Sequence, residues 1–567
     1  MMFSGFIRNN CPIRSGICIL FFCVLWTINI NAQEALKSVE EEYYDFLSLQ
    51  GLTNRPALNY RTLSDSVWAL KEGADGNIAP HPWQGQSFSV FHPLFSGVKM
   101  RIYGPELFMS GNTAAPYGQN DGALWQGRGF NTSLTSGIRF EGYGVEVIFK
   151  PQLAFSQNAA FDIMPPSERM SGYVDKAADY GYFWGIVDAP QRFGNKSFFV
   201  YDWGDSEIRY TWKTLTVGFG TQAIWLGPAQ INPILHSNNA PTYPKIDIGF
   251  RRQAIMIPWL NWYVGDIEAR LWVGQLTESA YFDNDSANDH TMFHGLSFAY
   301  TLPFLHNFTL AANRVCLVPW AWKNFKYILP SDNNTIEDQK ASFCASWIFP
   351  QIGFEVYGEL GIDDFVPNGT NGNIEGYIRY PFHTMMYTVG LKKIIKIALK
   401  RDIYGELFFE WNSMEMSQDF QFQWPYSPYF HSYIKQGYTN RGQWLGAGSG
   451  WGGNSQYLEF KLYFPKGVSS IFIHRNNPDN NFLYSKAVYD VAIHDDNSME
   501  IKYFKSWKAN FITGIATNYF LFSQVRIGGE IAYNFIINPY YYFYKTNFWE
   551  DKFLHNFIFQ IYMKYLF

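Results

Sequence analysis

The sequence predicts an all-β transmembrane protein: a large antiparallel outer-membrane β-barrel preceded by a small N-terminal α-helical plug. Three observations predict it. Aromatic residues make up 19% of the 567 residues and charged residues only 16%, a pairing that suits a wall with an apolar band and aromatic girdles. Segment after segment alternates apolar and polar residues with a period of two, the signature of strands. The last stretch, FQIYMKYLF, stays apolar at every second position, through Phe557, Phe559, Ile561, Met563, Tyr565 and Phe567. Its other face, Asn556, Ile558, Gln560, Tyr562, Lys564 and Leu566, is mixed. Chain ends usually fray into polar residues. A strand apolar to its last residue is expected to close a barrel and sit in its wall.

The first 32 residues read as a targeting segment. Arg8 and Arg14 give a positive start, residues 17–30 (ICILFFCVLWTINI) are apolar-leaning, and no acid occurs before Glu34. This is the pattern of a signal peptide, with cleavage expected after Ala32. The apolar stretch is short for a membrane-spanning helix, and no later apolar run is long enough for one. The expected division is residues 1–32 as signal, 33–95 as periplasmic plug and linker, and 96–567 as barrel. The formal charge of −5 becomes −7 once Arg8 and Arg14 leave. Neither value suits nucleic-acid binding, which needs a basic surface. Cys11, Cys18 and Cys23 leave too; Cys316 and Cys344 remain, and sequence alone does not place them within bridging distance.

In the plug, Val39, Tyr43, Phe46 and Leu47 fall on one helical face. Ser38 with Glu41 fits a capping box that starts a helix at Val39, and Gly51 is its expected stop. A second short helix is expected over residues 64–71. Glycine and proline then accumulate over residues 73–93 as a linker. Beyond it the strands begin. Ile267, Ala269, Leu271 and Val273 alternate with Asp266, Glu268, Arg270 and Trp272. Leu407, Phe409 and Trp411 alternate with Glu406 and Glu410, and Leu458, Phe460 and Leu462 with Glu459, Lys461 and Tyr463. In a barrel the charged face lines the lumen and the apolar face meets lipid. About 470 residues at roughly ten per strand plus connections give on the order of 16–18 strands, an even number. NPYYYFYKTNFW, residues 538–549, is expected to be an interfacial girdle.

Three loop motifs carry the chemistry. PYGQNDGALWQGRGFN, residues 116–131, offers Trp125 as a stacking face and Asp121, Gln126 and Arg128 as planar hydrogen-bonding groups. An aromatic platform with planar polar groups is sugar-binding chemistry, although a self-satisfied turn uses the same residues. WLGPAQINPILHSNNAPTYP, residues 225–244, is a long proline- and asparagine-rich loop with Trp225, Asn238 and Asn239. His236 beside Ser237 does not make a hydrolase, since a triad needs a base and an orienter in fixed geometry. GYTNRGQWLGAGSGWGGNSQYL, residues 437–458, carries Arg441, Trp444, Trp451 and Asn454. Its Gly448, Gly450 and Gly453 match a dinucleotide fingerprint in spacing only, without the flanking strand and helix. In FDNDSANDH, residues 282–290, Asp283, Asp285 and Asp289 have calcium-ligand chemistry, but a solvated hairpin loop is the simpler account. No cofactor, metal or catalytic site is expected.

The three loop motifs, in this order, resemble those of the Wzi-type capsule assembly proteins, of which Bacteroidetes relatives carry similar versions. The resemblance extends from about residue 91 to the end. It implies an 18-stranded outer-membrane barrel with an N-terminal helical bundle at the periplasmic end. It also implies a lectin that attaches capsular polysaccharide or exopolysaccharide to the cell surface without catalysis. Leu226 stands where such proteins often have a second tryptophan beside the one at 225. The residues expected to bind polysaccharide from their chemistry are Asp121, Trp125, Arg128, Trp225, Asn238, Asn239, Arg441, Trp444 and Asn454. The other expected partners are outer-membrane lipid with lipopolysaccharide and, during biogenesis, the barrel-assembly machinery, for which Phe567 resembles the recognition signal. A diffusion porin or sugar channel, and a component of gliding-motility machinery, are the alternative readings.

Overall fold

The computed structural model describes residues 36–567 except 74–75, 87, 89, 164–186, 284, 330–335, 364–384, 416–427, 432, 481–507 and 540–552. The signal segment and the girdle at 540–549 therefore lie outside the described residues. The wall is a closed antiparallel barrel of eighteen strands. Two positions are filled by broken strands: Val145–Phe149 with Gln152–Ser156, and Phe198–Asp202 with Glu207–Trp212. The ring closes where Phe553–Tyr565 pairs with Val98–Asn112 on one side and Val525–Ile537 on the other. Phe557, Phe559, Ile561 and Met563 point outward, while Asn556, Ile558 and Lys564 are buried inward. The final strand thus sits in the wall, as its alternation predicts.

One end of the barrel has short turns, such as those between Phe464 and Gly467 and between Phe522 and Val525. Long connections leave the other end. Short turns are periplasmic and long loops extracellular in such barrels, which orients the molecule. Cys316 faces out from the wall and Cys344 faces in, so these two buried thiols do not form a disulfide with each other.

The plug begins with helix α1, Val39–Ser48. Ser38 caps it, its hydroxyl accepting from the Glu41 amide at 3.2 Å. The Glu41 carboxylate reaches the Lys37 amide, one residue short of the reciprocal bond of a full capping box. The expected second helix over residues 64–71 is not formed; that stretch is a turn followed by extended chain. The reason is tertiary. Asp65 is pulled into the wall's ion network, pairing with Arg251 at 2.7 Å and Arg270 at 2.8 Å, and Thr62 accepts from its amide at 3.3 Å. Local helix propensity is a weak prior against such partners.

α1 packs at the periplasmic end. Tyr43, Phe46 and Leu47 join Trp68 and Trp83 against wall residues Tyr404, Tyr463, Phe520 and Leu566. Tyr43 stacks on Trp83 at 3.9 Å and Phe46 on Tyr463 at 4.0 Å. Ion pairs pin the polar side of the helix. Arg55 bridges Asp45 and Glu355, both at 2.6 Å; Lys392 meets Asp45; Arg526 and Lys564 meet Glu40.

A second insertion comes from outside. The strand Leu215–Gly220 is only six residues long, so the chain leaves the wall early and residues 221–244 enter the lumen. There Trp225–Leu226 pairs with Tyr60–Arg61 of the plug as a two-stranded sheet. Three inward glutamates hold the two insertions. Glu268 accepts from the amides of Leu58, Asn59 and Tyr60, at 2.7, 3.0 and 2.7 Å. Glu359 accepts from Ala229 and Ile234, and Glu410 from Gln230, Ile231 and Asn232. The packed lumen core, with Tyr60, Leu226, Ile234, Trp272, Phe293, Tyr429 and Tyr438, draws on wall, plug and loops together.

Burial pushes the Asp45 carboxyl up, but Arg55 and Lys392 outweigh it and hold it below the usual aspartate range. Its contribution to stability is therefore present above that range and lost as pH falls through the lowered value. Replacing Arg55 by Ala leaves Glu355 without its cation and Asp45 with Lys392 alone, at an expected cost of about 3 kcal/mol. A fall in the heat-denaturation temperature, with faster proteolysis of the plug from the periplasmic side, measures it; unchanged melting refutes the pinning role.

Candidate functional site

The three loop motifs meet at the outer mouth. The Asn120 amide donates to Asn239 Oδ1 at 2.7 Å, and Gly122 N to Asn238 O at 2.8 Å. Gln119 Nε2 donates to Asn232 Oδ1 at 2.7 Å. From the other side, Asn239 Nδ2 donates to Gly446 O at 2.7 Å and Ser237 Oγ to the same oxygen at 2.6 Å. The loops approach so closely that a Cβ on Gly446 would lie 2.1 Å from the Tyr429 hydroxyl, and one on Gly448 would lie 2.7 Å from Gln119. This explains the glycines of the third motif without any nucleotide.

Between the loops lies a cavity of about 290 Å³. Trp125 and Trp444 stand on its lining, both half-buried. Phe193 meets Trp125 edge-to-face at 5.1 Å, and Tyr429 backs Trp444 at 5.6 Å. Asp121, Asn239, Asp479 and Lys508 add polar groups to the lining. Asp121 accepts from Gln126 Nε2 at 2.8 Å. Burial pushes its carboxyl up to about 7, against the lowering effect of that hydrogen bond. Trp rings beside carboxamide and carboxyl groups can stack on a sugar's C–H face and bond its hydroxyls.

Of the nine residues expected to bind, Asp121, Trp125, Asn239 and Trp444 line this cavity. The others are placed differently. Trp225 is 0% exposed deep in the lumen, its indole N–H donating to Ala229 O at 2.9 Å. Lys37 and Arg61 cover its ring, each 5.4 Å from the centroid, so no sugar can stack there. Asn238 lines a separate cavity below, with Asn120, Gly122 and Thr242. Arg128 donates to the carbonyls of Thr113 and Ala160 and lines a separate cavity with Ala114, Phe161 and Leu554. Arg441 is exposed beyond the cavity, its amide donating to Thr277 O at 2.8 Å. Asn454 is held by Glu415 and by Arg475, at 2.6 Å to the latter. Trp451 is buried, stacked on Phe430 at 5.4 Å. Sequence reasoning missed Gln119, Phe193 and the Asp479–Lys508 side of the cavity; none of these has a local pattern to mark it.

His236 does not touch the Ser237 hydroxyl. Its Nδ1 faces Ser237 O at 3.1 Å and its Nε2 the Tyr243 hydroxyl at 2.8 Å. Burial and nearby Lys245 push its pKa down to about 3. The pair is a structural clip.

Within residues 278–289, the carboxylates of Glu278, Asp283 and Asp289 lie within 4.8 Å of one another. Asp285 is not in the group; its side chain caps the Ala287 amide at 3.0 Å.

The fold and mouth define a class: an outer-membrane β-barrel whose lumen is packed by its own plug and loops. The capsule assembly protein Wzi family model matches residues 112–318, which contain two of the three loop motifs. Over that stretch the chain is similar to the capsule assembly protein Wzi family. Among solved structures it is similar to Wzi of Escherichia coli, an outer-membrane protein involved in group 1 capsule assembly and described as a carbohydrate-binding β-barrel. The two share 13% identity over 81% of this chain and 84% of that one, with a TM-score of 0.52; at that identity the likeness concerns the fold. Acinetobacter baumannii OccAB2 (10% identity, 82% of this chain and 97% of that one, TM-score 0.37) is more distant. So is Pseudomonas aeruginosa OprD (9%, 82% and 92%, 0.36). Among curated proteins, none matches the chain in sequence.

Burial, with Asp283, Asp188 and Asp289 nearby, pushes the Glu278 carboxyl up to about 9. Its folded pKa exceeds the unfolded one, so stability falls as pH rises from the ordinary carboxyl range to about 9 and levels off above it. Proteolysis of the connection 278–289 is expected to accelerate between about pH 5 and 9 and then level off. Glu278→Gln should flatten that rise; an equally steep profile in the variant counts against the assignment.

Proposed function

We propose that this chain is an outer-membrane protein of capsule or exopolysaccharide assembly that binds polysaccharide at the cell surface and anchors it there without catalysis. The observation that carries the reading is the cavity at the outer mouth. Trp125 and Trp444 are brought together there from loops more than 300 residues apart, with Asp121 and Asn239 beside them. The family match supports it, since it covers the loops that supply Trp125, Asp121 and Asn239. A single shallow site of this size holds few sugar units, but a polymer offers many, and repeated weak contacts add up to retention. A diffusion channel is not favoured, because the lumen is filled by plug and loops. A hydrolase is not favoured, because His236 and Ser237 are each bonded elsewhere. In this reading residues 1–32 are removed on export, and the partners besides polysaccharide are outer-membrane lipid with lipopolysaccharide and the barrel-assembly machinery.

Trp125→Ala and Trp444→Ala are each expected to weaken polysaccharide binding by about tenfold, the loss of roughly 1–2 kcal/mol of aromatic contact. Both should leave the barrel folded and shift polymer from the cell pellet to the medium at constant total. Trp225→Ala should instead destabilise by about 3–5 kcal/mol, seen as lower heat resistance in electrophoresis. Undiminished binding in both mouth variants would sink the site.

A further inference from the structure

The connection after the strand Phe308–Pro319 folds back over the outer surface of the barrel. Strand alternation identifies the outer face. Leu296, Phe298, Leu310 and Phe343 point into the lipid, 39–54% exposed. Met292, His294, Arg314, Cys316 and Val318 share that face by the period of two. Yet Met292, His294, Cys316 and Val318 are at most 1% exposed. What covers them is the 3-10 helix Trp322–Ile328. Its Tyr327 packs with Val273, Met292, Cys316 and Val318, and Phe325 meets His294 edge-on at 6.1 Å.

Arg314 locks the strap in place. A guanidinium on the lipid face of a barrel is costly unless its donors are satisfied. Here its Nη1 donates to the last carbonyls of the helix, Tyr327 O at 3.2 Å and Ile328 O at 3.3 Å. Its Nε and Nη2 donate to Gln339 Oε1 at 2.9 and 2.6 Å. The strap is therefore built, and its outward rows are fixed by the threefold repeat of a 3-10 helix. Asn324 and Tyr327 face the wall. Trp322, Phe325 and Ile328 form an apolar flank, with Trp322 83% exposed and stacked on Phe325 at 5.3 Å. Lys323, Lys326 and Leu329 form the exposed row. Neither lysine is in an ion pair among the described residues; Lys326 overlies the Tyr327 ring at 5.0 Å and has the buried Glu337 carboxylate within electrostatic range.

An exposed indole beside two exposed ammonium groups, neither in an ion pair among the described residues, thus sits where the lipid-facing belt ends at the outer mouth. That is the depth of the outer-leaflet headgroups. We propose that this strap docks the phosphorylated glucosamine headgroup of lipopolysaccharide. Lys323 and Lys326 meet its phosphates, and Trp322 and Leu329 lie along the junction of sugar and acyl chains. Three features favour this occupant: charge complementarity, continuity with the lipid belt, and the amphipathic rows. A second copy of the chain fits poorly, because a twofold contact would set four lysines against one another. The inference stands independently of polysaccharide binding at the mouth.

The test uses the full-length protein in detergent, stripped of native lipid. It is incubated with lipid A or with lipid A whose phosphates have been removed, and retained lipid is read by native mass spectrometry. Two lysines near a charged surface are worth about 1 kcal/mol each. The K323E/K326E variant should therefore retain lipid A at least about tenfold less well. Removing the phosphates should weaken wild-type retention to a similar degree. K323R/K326R should bind as wild type, and K466E, an exposed lysine at the opposite end, should change nothing. Heat-modifiable migration checks folding; if K323E/K326E does not fold, the phosphate dependence of the wild type and the arginine variant decide. Equal retention of both lipids, equal loss in K466E, or a dimer that dissociates in K323E/K326E would overturn the proposal.

Discussion

Everything inside this barrel depends on carboxylates of the wall capturing backbone amides of chain that is not in the wall. An inserted segment brings N–H groups that have left water and have no strand neighbour, and each must find an acceptor. Glu268, Glu359 and Glu410 supply two oxygens apiece to short runs of such amides. A carboxylate is the strongest acceptor available and can serve several donors at once. This converts a polar lumen suited to water into one suited to protein. The ion network Arg139, Glu146, Arg251, Asp65, Arg270, Asp247 and Arg209 extends the same solution around the plug.

The outer mouth inherits its rigidity from those bonds. Residues 229–234 are fixed by Glu359 and Glu410, so the stretch that follows arrives at the mouth in a set position. Asn239 there accepts from one neighbouring loop and donates to another. A cavity whose polar groups are held before any ligand arrives loses less entropy when it binds. The same bonds explain why several candidate polar groups are poor ligand groups: their hydrogen bonds are already spent holding the loops together.

The wall was legible because membrane and lumen impose opposite demands on adjacent residues. Asp266, Glu268, Arg270 and Trp272 alternate with apolar neighbours and do face inward. Even Trp272, apolar among charges, keeps the period and fills the packed lumen. The loops were legible as a combination, and their convergence on one another is what that combination encodes. Individual roles were not. Trp125 and Trp225 look alike in sequence, each beside a glycine-rich or proline-rich run. They part because the strand before Trp225 stops after six residues and sends that loop inward. The helix expected over residues 64–71 gives way for a related reason: Asp65 answers to arginines 186 and 205 residues away, which no local pattern carries. The strap over the outer wall left one faint trace, an arginine on an otherwise lipid-facing row.

Glu40 in the first helix is bound to Arg526 and Lys564, 486 and 524 residues further along. The strand that carries Lys564 is also the one that joins Val98–Asn112 and closes the ring. A chain made from its N-terminus therefore holds Glu40 in waiting until nearly everything else exists. Contacts of such separation pay their loop-closure entropy late and make folding slow. Here the last of them coincide with closure: Glu268, Arg270, Glu355 and Lys392 can hold the plug earlier, but Glu40 gains Lys564 only from the strand that seals the cylinder.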